Sequence, residues 1–168
     1  GDPLAADTNL GPLISKKQLD RVLGYVEKGP QEGAKLVSGG QRLGGELASG
    51  YFIEPTVFGN VANTMTIARE EIFGPVASVI PFDTAGEVLK MANATEYGLN
   101  ASIWSRDTEL ACRMATRIHA GTVNVNEAYE QAVTGFVQAL LGRLHSNLFL
   151  DDFLGLQRLV AWLGRLNS

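Results

Sequence analysis

From Val76 onward the sequence twice runs a short strand-like segment into a capped helix, and this alternation restricts the fold more than any other feature. Residues 76–82 are a strand candidate. Thr84 and Glu87 follow at capping-box spacing, in which a side-chain oxygen takes up an otherwise unpaired amide of the first turn, and they open a helix carrying Val88, Leu89, Met91 and Ala92. Residues 101–104, a helix from about 107 to 119, and the alternating Thr122-Val123-Asn124-Val125 repeat the order. Parallel neighbours need a long crossover between them, and a helix is the usual one. The expected class is α/β, a largely parallel sheet with crossover helices.

Upstream, Ser15 and Gln18 make another capping-box pattern, and Leu19, Val22, Leu23 and Val26 recur at helical spacing until Gly29-Pro30 or Gly33 stops them. Residues 35–38 read as a short strand closed by Gly39-Gly40. The glycine-rich stretch to Gly50 reads as a surface loop, with β structure resuming over residues 51–57. Beyond Asn126 the texture changes, because Val133, Phe136, Val137, Leu140, Leu141 and Leu144 follow a helical stripe. Asp151-Asp152 opens a second helix carrying Phe153, Leu156, Leu159, Val160, Leu163 and Leu166. Gly135, Gly142, Gly155 and Gly164 each cost roughly 1 kcal/mol against alanine inside a helix, so these helices would depend on packing. Two parts are expected, an α/β domain over residues 1–126 and a helical tail over 127–168.

Composition removes several function classes. At 168 residues, 45% hydrophobic and 19% charged, the chain can bury a core and is unlike a disordered one. A net charge of −4, with lysine and arginine scattered among acids, leaves no basic footprint for nucleic acid. No run of about 18 apolar residues occurs, the first residues lack the basic and apolar start of a signal peptide, and the tail lacks a basic face for anionic lipid. A single cysteine, Cys112, excludes an internal disulfide and a cysteine-based metal site, and it suits a reducing, cytoplasmic setting. Cys112 lies on a helical pattern and is expected to pack as a small hydrophobe. His119 and His145 lie far apart without triad or metal spacing, so surface or helix-end roles are expected, and no metal site.

The stretch Ala68-Arg69-Glu70-Glu71-Ile72-Phe73-Gly74-Pro75-Val76 resembles the Glu-x-Phe-Gly-Pro signature of the aldehyde dehydrogenase family. Its neighbours agree in order: Leu10-Gly11-Pro12-Leu13-Ile14, Gln31-Glu32-Gly33-Ala34-Lys35, Gly50-Tyr51-Phe52-Ile53-Glu54-Pro55-Thr56-Val57, Glu96-Tyr97-Gly98-Leu99 and Ala120-Gly121-Thr122-Val123-Asn124-Val125-Asn126. The resemblance covers residues 1–126, part of the family's catalytic domain, and is nearest to enzymes acting on betaine aldehyde and similar aliphatic or aminoaldehydes.

The resemblance implies oxidation of aldehydes to carboxylic acids with NAD or NADP. A thiolate attacks the aldehyde, hydride passes to the nicotinamide, and a glutamate activates the water that hydrolyses the thioester. The family's nucleophilic cysteine, general-base glutamate, oxyanion-hole asparagine and dinucleotide-binding domain map upstream of Gly1, so the chain is expected to be inactive alone and to bind the cofactor weakly or not at all. Two positions carry over as cofactor-binding residues: Glu71, whose counterpart accepts hydrogen bonds from the nicotinamide ribose hydroxyls, and Phe73, which packs beside the nicotinamide end. After Asn126 the family's Pro-Phe-Gly-Gly and Ser-Gly-x-Gly-Arg-Glu stretches are not found. The expected partners are a full-length or upstream dehydrogenase chain, or a second copy. Two further readings stand beside the inactive fragment: a regulatory or assembly subunit docking through the helical tail, and a complementing half of a split enzyme.

Overall fold

The structure, a computed structural model, describes residues 1–127. The expected helical tail and His145 lie outside the described residues. Two compact units divide the chain, one over Gly1–Pro81 and a second beginning at Phe82.

In the first unit α1 (Lys16–Gln31) starts where the spacing places it, with the Ser15 hydroxyl accepting the Gln18 amide at 3.1 Å. The other half of that capping box does not form, because the Gln18 side chain turns away to Ile72 and Phe73. Gly29 and Pro30 lie inside the helix, and Gly33 is what ends it. Gly33 takes φ +99, and the amides of Gly33 and Ala34 return to the carbonyls of Pro30 and Gly29, a Schellman closure that a Cβ would strain. The buried stripe of α1 is Leu19, Val22 and Val26.

The chain continues through β1 (Lys35–Ser38), a 3-10 turn (Gly45–Leu47), β2 (Thr56–Gly59), α2 (Thr66–Arg69) and β3 (Val76–Ser78). These strands form one sheet in the order β1-β2-β3. The β2–β3 pair is parallel and brings Thr56 opposite Val76. The β1–β2 pair is antiparallel, so the first sheet is mixed. Its cause is the return of the 39–55 segment: Arg42 bridges Ile53, and the Glu54 amide donates to the Gln41 carbonyl, so the chain doubles back as a hairpin does. β3 is shorter than the strand expected over residues 76–82; after Ser78 the Val79 amide still reaches the Phe58 carbonyl. Phe58, Val61, Ile67, Ile72 and Val76 join the α1 stripe in the core.

The second unit holds α3 (Ala85–Asn93), β4 (Asn100–Ile103), α4 (Thr108–Ala115) and β5 (Thr122–Val125). β4 and β5 pair in parallel across α4, as the repeated strand–helix order requires. Thr84 caps α3 by accepting the Glu87 amide, while the Glu87 carboxylate takes the amide of Asp83. Asp107 caps α4 through the Leu110 amide at 2.8 Å. Asn126 closes the pair: its side-chain amide both accepts from the Ser105 amide and donates to the Ser105 carbonyl. Among the described residues no helix is long and apolar enough to cross a membrane.

Glu32, at the end of α1, caps α2. Its carboxylate accepts from both the hydroxyl and the backbone amide of Thr66, each at 2.6 Å, and these bonds, the hydroxyl's first, hold its pKa below the usual 4.5. A lowered carboxylate pKa stabilises the fold above the unfolded value, and the contribution is lost as pH falls through the folded one. Glu32→Gln should therefore destabilise the chain at about pH 7 but hardly at about pH 3, read by urea unfolding at both. At Gly74 a Cβ would stand 2.5 Å from Val22 Cγ2, a side chain with no exposure of its own. Gly74→Ala should cost about 1–3 kcal/mol through overpacking; an unchanged urea midpoint would mean that this segment can move off α1 freely.

Candidate functional site

The two residues singled out from sequence lie on one turn between α2 and β3. Glu70 ends α2 in an extended conformation (φ −108, ψ 148), its amide still bonded to the Thr66 carbonyl. Ile72, 4% exposed, pins the turn into the core, and the Pro75 carbonyl accepts the Thr56 amide at 2.7 Å where β3 begins. Glu71 is 9% exposed, so only a small part of it reaches solvent. Phe73 is half-buried and has φ +54.

Side chains of α1 hold this turn from one face of the helix. Gln18 Nε2 donates to the Ile72 carbonyl at 3.0 Å and to the Phe73 carbonyl at 2.8 Å. Arg21 Nη2 donates to the Glu71 carbonyl at 2.7 Å, and its guanidinium carbon lies 5.9 Å from the centre of the Phe73 ring and 5.6 Å from that of Tyr25. These separations bring the cation within reach of both ring faces. The Tyr25 hydroxyl donates to Glu70 Oε2 at 2.7 Å. Burial, then the bond to Glu70, raises the Tyr25 pKa above its ordinary 10.0, so the hydroxyl stays a donor. Residues 70 to 73 are thus each bonded to α1.

Gln18, Arg21 and Tyr25 were not singled out by sequence reasoning, although the signal was available. Positions 18, 21 and 25 follow the i, i+3, i+7 spacing of one helix face, alongside the apolar stripe at 19, 22 and 26. Cys112 departs from expectation: it is exposed, not packed. On α4 the fully buried position is Ala111, and the next residue is turned about 100° away from it. His119 lies beyond the end of α4, exposed, its backbone amide bonded to Asn93 Oδ1 at 2.9 Å. An open groove in the second unit, unseen from sequence, is lined by Leu89, Lys90, Asn93, Ala94, Arg117 and His119.

Comparison with known proteins places the chain as a whole. The profile of the "Aldehyde dehydrogenase family" matches residues 1–159, running past Asn126, where the resemblance read from sequence ended. DhaS of Bacillus subtilis is 46% identical over 157 residues, which are 91% of this chain and 31% of that protein. The betaine aldehyde dehydrogenase of Sinorhizobium fredii is 41% identical over 172 residues, covering 100% of this chain and 35% of that protein. Among solved structures, the NAD+ complex of the Bacillus cereus aldehyde dehydrogenase aligns with a TM-score of 0.70 at 45% identity, over 75% of this chain and 25% of that one. HpcC from Thermus thermophilus aligns with a TM-score of 0.74 at 47% identity, over 77% of this chain and 26% of that one. The chain spans about a third of the length of the curated relatives it matches, 31% and 35% for the two named. With its ordered segments, its α/β units and a family match over residues 1–159, the chain belongs to the aldehyde dehydrogenase family.

Proposed function

We propose that this chain supplies a section of the catalytic domain of an NAD(P)-dependent aldehyde dehydrogenase, in which the turn carrying Glu71 and Phe73 meets the nicotinamide-ribose end of the cofactor. The observation that supports it most is that turn itself, with a carboxylate and an aromatic ring two residues apart and each neighbouring carbonyl tied to α1. The residues present fit the group chemically. A carboxylate is an acceptor-only partner for two sugar hydroxyls, and a half-buried ring offers a flat apolar surface to a heterocycle. In this reading Glu71 orients the ribose and Phe73 keeps water from the nicotinamide end. Arg21, bonded at the Glu71 carbonyl and set over Phe73, holds the two together. The chemistry NAD(P) supplies when bound is acceptance of the hydride leaving the aldehyde-derived carbon.

The nucleophile, the water-activating base and the oxyanion donors come, in this proposal, from residues outside these 168. Cys112, exposed on α4, is not assigned the attack. The chain then works with the remainder of a dehydrogenase or with a second copy, and its single cysteine suits a cytoplasmic setting. One carboxylate and one ring leave most of the cost of immobilising a dinucleotide unmet, so affinity should be weak, about millimolar.

Two measurements on the purified chain test the proposal. Glu71→Gln should weaken NAD binding about tenfold by NMR titration, the scale of losing one charge-assisted hydrogen bond; equal affinity would remove Glu71 from the site. A spectrophotometric assay with an aliphatic aldehyde and NAD should give no NADH. Steady aldehyde-dependent NADH formation would instead place a working nucleophile within this sequence.

A further inference from the structure

We propose that Gln18 is a positioning residue for this site, holding Phe73 in its left-handed conformation; the inference rests on the reading of Glu71 and Phe73 above. Three described residues other than glycine have positive φ, and two of them, Asn60 and Asn126, are of a type that tolerates it. Phe73, at φ +54, is the third. A residue with a Cβ avoids this region because the Cβ crowds the following carbonyl oxygen, so the conformation persists only where surrounding structure enforces it.

Gln18 supplies that enforcement. The carbonyls of Ile72 and Phe73 are the two that flank the Phe73 α-carbon. In extended chain, successive carbonyls point to opposite sides, whereas a residue with helix-like dihedrals of either hand turns them to the same side. The single Gln18 Nε2 reaches both, at 3.0 and 2.8 Å, which requires the compact arrangement. Gln18 itself is fixed in the first turn of α1, its amide held by Ser15. Either side of Phe73 is anchored separately, Ile72 by burial and Gly74 by its fit against Val22. Gln18 therefore governs the one freely adjustable residue between two anchors. Through it the bearing of the Phe73 ring is preset before a ribose arrives, and preorganisation of this kind raises affinity without adding a contact.

The test uses the full chain, labelled with 15N and 13C, and follows the intraresidue amide–Hα cross-peak of Phe73, which is strong when φ is positive. Gln18→Leu keeps the size and removes the donors; Gln18→Glu serves as a second variant, keeping the helix but offering only acceptors at about pH 7. Loss of the strong cross-peak together with NAD binding about fivefold weaker supports the proposal. Val26→Ala, which loosens the core away from the turn, should leave the cross-peak intact. A cross-peak retained in both Gln18 variants overturns the proposal. So does a lost cross-peak with unchanged NAD affinity where Glu71→Gln does weaken binding, and in that case the ribose reading stands. A lost cross-peak with no effect of Glu71→Gln supports the hold of Gln18 on Phe73 and removes the ribose reading.

Discussion

Side chains from a single face of α1 span fifty or more residues of sequence to bond three consecutive carbonyls of the 70–73 turn, those of Glu71, Ile72 and Phe73, with separations of 50, 54 and 55. Everything else in the first unit makes this possible. The apolar stripe at Leu19, Val22 and Val26 seats the helix in the core, and the neighbouring stripe at Gln18, Arg21 and Tyr25 then faces the turn. Burial is non-directional and sets only how closely the helix packs. The hydrogen bonds are directional and set how the turn is aimed.

Both ends of α1 serve the same region. Ser15 and Gln18 stand at its start, and Glu32 at its finish caps α2, the one-turn helix from which the 70–73 turn emerges. α2 has four residues and cannot hold itself, since a single turn gains too few hydrogen bonds for the entropy it gives up. It exists because Glu32 satisfies its first amide while Ile67 and Ala68 are buried. The second unit is held by different means. Asn93 bonds both the Arg117 carbonyl and the His119 amide, and Asn126 exchanges two bonds with Ser105, so side-chain amides fasten the loops around a two-stranded ladder.

Local rules carried far where the interactions are local. The caps at Ser15 and Thr84 accept amides three residues on, which spacing alone reveals, and the alternation of residues 122–125 gave β5 its bounds. They failed where a distant partner intervened. Gln18 has the spacing of a capping-box partner, but two carbonyls brought near by the fold compete for its amide and win. The antiparallel β1 arises from the doubling back of the 39–55 segment, whose glycines signal turning but not direction. A helical pattern indicates that a face is buried without always indicating which residue occupies it; on α4 Ala111 is buried and Cys112 is exposed.

The sequence by itself determined where α1, α3 and α4 start, which residues are apolar enough to form the core, the α/β class, and the ordered segments that mark an aldehyde dehydrogenase, because each depends on residue type and short-range spacing. The tertiary structure decided the pose of Glu71 and Phe73. A left-handed phenylalanine is disfavoured by local preference, and only a donor group delivered by a helix far away in the chain makes it the stable arrangement.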